Sequence, residues 1–215
     1  MAEANNHSPH LAHHFSEMEQ QRDSAKLGMW IFLITEILLF GGLFTAYTIY
    51  RSWHPDMFYN AHKFLDIYLG TTNTVVLITS SLTMALAIRS MQIGLKKRTI
   101  IFLTITLILA AVFLVIKFFE YHHKFELGQL PGKYYTFTGI EGTNPHIFFS
   151  MYFMMTGLHG IHVIAGICVI GWLLRQTIKN RFSPEYYTPL EMTGLYWHLV
   201  DIIWIFLFPL FYLVG

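Results

Sequence analysis

Charged residues and cysteines are both scarce in this sequence. Asp, Glu, Lys and Arg make up only 13% of its 215 residues, whereas they make up about 25% of an ordinary soluble domain. Cys168 is the only cysteine, which excludes an internal disulfide and a metal centre held by a cysteine pair. The formal net charge is +1, so nothing indicates a nucleic-acid partner. The shortage of charge instead indicates a membrane protein.

The apolar residues, 54% of the chain, are gathered into long uninterrupted runs. A helix needs about 20 such residues to cross a bilayer. Five runs reach about that length: residues 27–50, 67–88, 100–119, 147–174 and 192–215. Their continuity favours helices over the alternating strands of a barrel. We therefore predict an all-α, polytopic bundle of five transmembrane helices over residues 26–215. The polar, His-rich tail before it, residues 1–25, contains no apolar stretch, so we expect no cleaved signal peptide.

Basic residues are distributed unequally between the two sets of alternating loops. One set carries nine: Arg22, Lys26, Arg89, Lys96, Lys97, Arg98, Arg175, Lys179 and Arg181. The other set carries five: Arg51, Lys63, Lys117, Lys124 and Lys133. By the positive-inside rule, the N-terminus is predicted to be cytoplasmic and the C-terminus to lie outside.

Two segments outside the spans carry recognisable features. The tail contains a cluster of histidines: His7, His10, His13 and His14. These either bind a divalent metal or belong to a solvated, mobile end. Ser16 and Glu19 have the spacing of a capping box, which predicts a helix start that leads into the first span. Glycines and prolines in residues 122–146 predict turns in the largest loop.

Glu36 lies near the middle of the first span. An ionisable group at that depth costs at least about 2.5 kcal/mol. The residues on its helix face include Phe32 and Phe40, so its own helix offers little hydrogen bonding. We predict that the carboxyl group is protonated or bonded to a neighbouring helix. Two roles stay open: a structural fastener between helices, or a proton-exchanging site.

The fourth span separates into two faces when its residues are placed at about 100° each. Small residues form one face: Ser150, Gly157, Gly160, Cys168 and Gly171. This face predicts close helix packing. His159, His162 and Gly166 lie on the opposite face. A metal or haem centre would need imidazoles from several helices, so we expect no metal site here. Instead, we expect both histidines to hydrogen-bond to Glu36 or to lipid head groups.

The fifth span carries a polar cluster: Trp197, His198, Asp201 and Trp204. His198 and Asp201 lie one helical turn apart and are expected to pair. The two indole N–H groups are expected to donate to the carboxylate. The cluster is interpreted either as a clamp between helices or as a proton entry point near the cytoplasmic end.

Polar residues also mark the second and third spans. In the third span, Lys117 and Glu120 are expected to pair and to reach the outer interface by snorkelling. The second span has small or polar residues at heptad-like spacing: Gly70, Asn73, Ser80 and Ala87. Their spacing predicts close packing with hydrogen bonds between helices.

Four segments together resemble the cytochrome oxidase subunit III family. They are residues 34–44 around Glu36, the Phe-Phe-Glu-Tyr run at 118–121, residues 156–166 and residues 196–204. They occur in the family's order and spacing, and the resemblance extends over residues 26–215. It implies a subunit that binds no redox centre, lies against the catalytic subunit I, holds structural phospholipid and helps to sustain proton uptake and turnover.

This resemblance also assigns individual residues. Glu36 matches the family's buried carboxylate that reacts with carbodiimide, and His162 matches a histidine that lies near it. The chain has five helices where the mitochondrial type has seven, so it is similar to the short bacterial form. Another chain, such as an extended subunit I, is expected to complete the missing part. Lys117 stands where the family commonly has glutamine.

The resemblance predicts a non-catalytic accessory subunit of a proton-translocating cytochrome c oxidase in aerobic respiration. It would lie in a bacterial plasma membrane with its C-terminus in the periplasm. Haem and copper are expected in partner subunits, and other oxidase subunits, membrane lipids and a respiratory supercomplex are the expected partners. Quinol oxidases and nitric oxide reductases are alternative complexes. A stand-alone transporter using Glu36 as a proton relay is a third hypothesis, which predicts a water-filled path and helices broken at mid-membrane.

Overall fold

The computed structural model describes residues 11–13, 15–140 and 144–214. The helices are α1 (Met18–Trp53), α2 (Pro55–Ala61), α3 (Ile67–Gln92), α4 (Lys96–Glu126), α5 (His146–Ile178) and α6 (Thr188–Phe208). Short 3-10 turns occupy His62–Phe64 and Gly132–Tyr134, and a π-helical turn, Pro209–Leu213, extends α6. Over these residues there is no strand, only two isolated bridges. The predicted all-α class is confirmed.

Five of the helices are long and apolar enough to cross a membrane: α1, α3, α4, α5, and α6 with its π-helical extension. The predicted number of spans is confirmed. The helices extend beyond the apolar runs, because polar residues continue a helix once it has left the hydrocarbon. Residues 122–126 accordingly belong to α4, where His122 lies 3.5 Å from Glu126, and not to the loop predicted there. Gly128, with φ of 72°, ends the helix in the left-handed region.

The start of α1 lies close to the predicted position, but the capping differs. Glu17 precedes the helix without making a side-chain cap. The backbone N–H and the hydroxyl of Ser16 both donate to Oε1 of Gln20, at 3.1 and 2.9 Å. The Glu19 carboxylate is turned instead towards Arg22 at 4.0 Å. Of the histidine cluster in the tail, His7, His10 and His14 lie outside the described residues.

Helices α3 and α4 form the most extensive pair, and α6 packs against both α3 and α5. Helix α1 lies at the edge, where Leu33, Phe40 and Tyr47 are its buried residues. These lie seven residues apart and therefore on one face. The Tyr47 hydroxyl donates to the carbonyl oxygen of Leu210 at 2.7 Å, which joins α1 to the end of α6.

The predicted close packing of the stripe on α3 is confirmed, since Gly70, Asn73, Ser80 and Ala87 are all buried. Asn73 does not make the predicted interhelical hydrogen bond, because neither atom of its amide has a partner among the described residues. A Cβ atom on Gly70 would lie 2.8 Å from the Phe208 ring. Interhelical hydrogen bonds accompany the stripe: the hydroxyls of Thr83 and Thr106 are 2.8 Å apart.

Three basic segments meet at one end of the bundle. Lys96, at the start of α4, donates to the carbonyl oxygen of Ile178 at 3.0 Å and to the side chain of Asn180. On the other side of the same connection, Tyr186 borders a 160 Å³ cavity that also touches Arg22 of α1. The basic residues at this end of the bundle are the ones from which the cytoplasmic orientation of the N-terminus is predicted.

Candidate functional site

Glu36 of α1 is hydrogen-bonded to His162 of α5. The His162 Nε2 atom lies 2.9 Å from Oε2 of Glu36, and the two side chains are 15% and 14% exposed. The other ring nitrogen, Nδ1, lies 2.8 Å from the carbonyl oxygen of Leu158. Glu36 thus bonds to a neighbouring helix, as its buried position in the sequence predicts.

The Leu158 contact limits where the protons of the Glu36–His162 pair can lie. A carbonyl oxygen can only accept, so Nδ1 of His162 carries a hydrogen. Nε2 therefore either accepts from a protonated Glu36, or carries a second hydrogen and faces a carboxylate. The contact holds one shared proton in both cases, and the pair has no net charge. Such an arrangement lowers the cost of placing both groups in the apolar interior.

Aromatic rings enclose the Glu36–His162 pair. The rings of Phe40 and His162 meet edge to face at 5.4 Å. Tyr196 of α6 donates its hydroxyl to the backbone carbonyl of His162 at 2.9 Å, and its ring lies 5.9 Å from that of Phe32. The pair is therefore held by α1, α5 and α6 together.

His159 does not bond to Glu36, so that part of the prediction is wrong. It lies three residues before His162, which turns it about 60° around the helix. Its ring is fully buried between Phe113 and Trp204, with ring centroids 5.5 and 5.3 Å away. Neither ring nitrogen has a hydrogen-bond partner among the described residues.

The small-residue face of α5 makes little close contact within the described residues, so its predicted close helix packing stays a prediction. A Cβ added to Gly160 or Gly171 would meet no atom within 4 Å. Gly157 and Gly160 border an open, mostly apolar groove of 660 Å³ between α4 and α5. Close approach occurs on the opposite face, where a Cβ on Gly166 would lie 2.5 Å from the Trp197 ring.

The polar cluster on α6 forms its hydrogen bonds with α3. Trp197 donates to the hydroxyl of Ser80, and Trp204 donates to that of Thr74, both at 3.1 Å. His198 Nδ1 lies 2.6 Å from the hydroxyl of Ser81. These bonds join two helices, as the clamp interpretation predicts.

Asp201 receives neither of the indole hydrogens that the sequence predicts for it. Its carboxyl group is buried, and Oδ1 has no hydrogen-bond partner within the described part of the chain. Ser81 lies beside this carboxyl group as well as beside His198. Ser81 therefore lies beside both His198 and Asp201, in place of the direct contact predicted between those two side chains.

Lys117 and Glu120 form the predicted ion pair, with Nζ 2.9 Å from Oε2. The prediction that they snorkel outwards is wrong, because both are buried inside the bundle. Lys117 also donates to the hydroxyls of Tyr152 and Tyr212, at 3.3 and 2.7 Å. These two hydroxyls donate in turn to Oε1 of Glu120, at 2.9 and 2.5 Å.

The aromatic surroundings explain why Lys117 can remain inside. All three of its ammonium hydrogens have acceptors, and the ammonium lies 4.5 Å from the centre of the Trp204 ring. The sequence offers no signal for this cluster, since Tyr152 and Tyr212 follow Lys117 by 35 and 95 residues. Lys124, one turn beyond Glu120, is buried too and donates to the carbonyl oxygen of Phe64 at 3.2 Å.

Within the described ranges, no three His, Cys, Asp or Glu side chains converge as metal ligands. His162 is bonded through both ring nitrogens, and His159 is enclosed by aromatic rings.

Comparison with known proteins gives a consistent family. The sequence profile described as Cytochrome c oxidase subunit III matches residues 7–215. Cytochrome c oxidase subunit 3 of Thermostichus vulcanus is 34% identical over 197 residues, covering 89% of this chain and 88% of that protein. Quinol oxidase subunit 3 of Bacillus subtilis (strain 168) is 31% identical, covering 92% of each chain. The heme-copper oxidase subunit I+III of Aeropyrum pernix is 29% identical over 208 residues, which are 90% of this chain and 23% of that longer protein.

Proposed function

Because the chain belongs to the cytochrome c oxidase subunit III family, we propose that it is a non-catalytic accessory subunit of a proton-translocating haem–copper terminal oxidase in aerobic respiration. Members of this family work with other oxidase subunits. The chain supports the stability of the complex and its proton uptake, while its partners reduce oxygen.

The observation that carries this proposal is the Glu36–His162 pair. Its shared proton lies in the middle third of the first span, at a contact between two helices. Because the pair is neutral, it can remain in an apolar interior. At 14% exposure Glu36 is still reachable, so the same group can exchange a proton. Both roles foreseen for Glu36 are compatible with this geometry.

The redox groups belong, in this proposal, to the partner subunits, where haem and copper carry electrons to oxygen. We place subunit I as the main contact, and the fused subunit I+III protein of Aeropyrum pernix supports this choice. An extended subunit I completes the part that longer family members build with two further helices, and structural phospholipid fills the remaining apolar surface.

The chain is a multi-pass membrane protein. We propose that it lies in a bacterial plasma membrane with the basic end in the cytoplasm and the C-terminus in the periplasm. The unequal distribution of Lys and Arg supports this orientation. The complex would also be able to join a respiratory supercomplex.

The test is to purify the full chain with an affinity tag from its own membrane in mild detergent. We expect haem-containing partners, subunit I foremost, to co-purify at equal stoichiometry, as measured by haem spectra and mass spectrometry of the chains. A chain that purifies as a single species without haem would overturn the proposal and revive the transporter hypothesis.

A quinol oxidase is the second candidate, because quinol oxidase subunits are about as similar to this chain as the cytochrome c oxidase subunits are. The two candidates differ in electron donor only. Oxygen consumption by the purified complex with reduced cytochrome c, and separately with a quinol, distinguishes them. We expect turnover with cytochrome c, and turnover with quinol alone would select the second candidate.

A further inference from the structure

A polar group lies at the surface of the bundle between α3 and α6, at mid-membrane depth. His198 is ten residues after Thr188, where α6 begins, and Ser81 is eleven residues before Gln92, where α3 ends. Both therefore lie about 15 Å from the basic end of their helices. Since the hydrocarbon core is about 30 Å thick, the two side chains lie near its middle.

The hydrogen-bonding capacity of His198 is met on one side only. Its Nδ1 atom lies 2.6 Å from the Ser81 hydroxyl. Within the described part of the chain, the imidazole has no other hydrogen-bond partner, so Nε2 is left without one. An imidazole nitrogen donates or accepts in every protonation state. Nε2 therefore needs a partner, because unmet polar capacity is costly inside a membrane.

The side chains around His198 do not supply that partner. Ser81 already lies beside the Asp201 carboxyl group as well. Oδ1 of Asp201 is itself buried and has no hydrogen-bond partner among the described residues. The two neighbouring indole groups donate to hydroxyls of α3. The cluster thus carries more hydrogen-bonding capacity than α3 and α6 meet between them.

His198 can be reached from outside the chain. His198 and Ser81 are both partly exposed, whereas Asp201 beside them is buried. Apolar side chains flank them on the same helix faces: Ile78 precedes Ser81 by three residues, and Ile205 follows His198 by seven. Both isoleucines are exposed. Ser81, His198, Ile78 and Ile205 together define a surface that we name the α3–α6 face.

The depth of His198 distinguishes what can cover this face. The polar groups of a lipid lie at the two edges of the bilayer, so only acyl chains reach the level of the imidazole, and these form no hydrogen bonds. A protein helix can bring a donor or an acceptor to that depth, and such bonds commonly join transmembrane helices. The unmet nitrogen of His198 therefore favours protein over lipid.

We infer that the α3–α6 face is a contact with a second chain, which presents a transmembrane helix with a hydrogen-bonding side chain at the level of His198. A serine, threonine, asparagine or glutamine on that helix has the required chemistry. The inference rests on the proposed function only in taking this chain to be another subunit of the oxidase. The contact involves α3 and α6, whereas Glu36 joins α1 to α5.

The test replaces Ile78 or Ile205 by the photo-cross-linking residue p-benzoyl-phenylalanine, with the intact complex in its native membrane. We expect each position to cross-link to another subunit, at a peptide from a transmembrane segment that contains a hydrogen-bonding side chain, as identified by mass spectrometry. Ile101 and Ile108 on α4 are the matched controls. They are 55% and 57% exposed, against 49% and 41% for the test positions, and we expect them to label lipid.

Variants of His198 show whether the imidazole holds the contact. H198L removes the hydrogen-bonding group and should lower the yield of the cross-link from Ile205 about fivefold, which is the effect of losing one interhelical hydrogen bond. H198Q should keep most of the yield, because the glutamine amide can take the position of Nε2. The haem content of each sample shows whether the complex has assembled.

Three results would overturn the inference. Labelling of lipid alone from both test positions would mean that the bilayer covers this face. Equal labelling of protein from the α4 controls would remove its selectivity, and an unchanged yield in H198L would mean that the imidazole does not hold the contact. If H198L does not assemble, the cross-links in the chain with His198 intact still decide. A chain without haem-containing partners counts against the proposed function, whereas a haem-containing complex that labels lipid alone counts against this contact only.

Discussion

At the scale of single residues, the bundle handles buried charge in two ways. Glu36 and His162 share one proton and so have no net charge. Lys117 and Glu120 are an ion pair whose remaining hydrogen-bonding capacity is met by tyrosine hydroxyls. In the first arrangement, both side chains stay partly exposed, at 15% and 14%. The second is closed on all sides and is suited to joining helices.

Replacing Glu36 by glutamine tests the first arrangement. Glutamine offers both a donor and an acceptor, so His162 keeps a partner and the unfolding free energy should change by less than about 1 kcal/mol. A protonated carboxyl group is what a hydrophobic carbodiimide attacks, so labelling of the chain should be lost. The measurement is the mass of the chain after labelling, with E126Q, at an exposed carboxylate, as the control that stays labelled. Labelling of E36Q at full stoichiometry would contradict the assignment.

Replacing Lys117 by methionine tests the second arrangement. The variant leaves the Glu120 carboxylate buried at 4% exposure without its cation, which should cost about 3–5 kcal/mol of unfolding free energy. The double variant K117M/E120Q removes both charges and should recover most of that loss. Denaturant titration of the purified complex measures both effects, and K133M at an exposed lysine is the control. If K117M proved as stable as K117M/E120Q, burying the Glu120 carboxylate without its cation would cost little unfolding free energy.

At the scale of elements, α5 shows why packing partners are hard to assign in a membrane. Both of its faces are apolar with small residues, and lipid and protein are equally compatible with such a surface. On the face with Gly166, an added Cβ would overlap the Trp197 ring, whereas on the other face a Cβ at Gly160 or Gly171 would meet no atom within 4 Å. The side that packs is decided by the shape of the neighbouring helix, which the sequence of α5 does not contain.

This difference predicts opposite outcomes for two glycines six residues apart on α5. Leucine at position 166 would overlap the Trp197 ring and should destabilise the chain by about 1–3 kcal/mol. Leucine at position 160 projects into the open groove between α4 and α5 and should change stability by less than about 0.5 kcal/mol. Thermal unfolding of the purified complex compares them. Equal destabilisation by both variants would mean that the groove is filled in the complex.

Sequence patterns predict what each helix requires, but not which neighbour meets that requirement. The five spans, the α3 stripe and the need of Glu36 for an interhelical partner follow from local composition. The hydrogen bonds from Trp197 and Trp204 to hydroxyls of α3 do not follow from local composition. The two tryptophans lie four residues before and three residues after Asp201, so on a helix diagram both indole groups point equally well towards its carboxylate. Burial of Lys117 depends on two tyrosines on other helices, so charge spacing alone suggested a surface position.

At the scale of the whole molecule, only a small part of the surface of α1 is buried by the rest of this chain. Its exposed face includes Ile31, Ile34 and Leu38, and the Glu36–His162 contact lies beside it. A helix so loosely covered is suited to a place between the rest of the subunit and another chain. This fits an accessory subunit whose carboxyl pair lies near the interface with its partner.

Removing the whole chain from the oxidase tests that role. Haem content and initial activity should stay unchanged, because no redox group is assigned to this subunit. Activity should then fall progressively during turnover, since proton uptake is no longer supported. Oxygen consumption over successive additions of electron donor measures the decline, and re-expression of the chain should abolish it. Equal turnover lifetimes with and without the chain would contradict the role.

The cluster around Lys117 also sets an order of events during biosynthesis. Tyr212 is made 95 residues after Lys117, roughly 5 to 20 seconds later at ordinary rates of chain synthesis. Until then, the ammonium and carboxylate of α4 have as hydrogen-bond partners each other and, once it has been made, Tyr152. Helices α3, α4 and α5 can therefore insert and associate first. The cluster is complete only when the π-helical turn after α6 has been made and Tyr212 binds to Lys117 and Glu120.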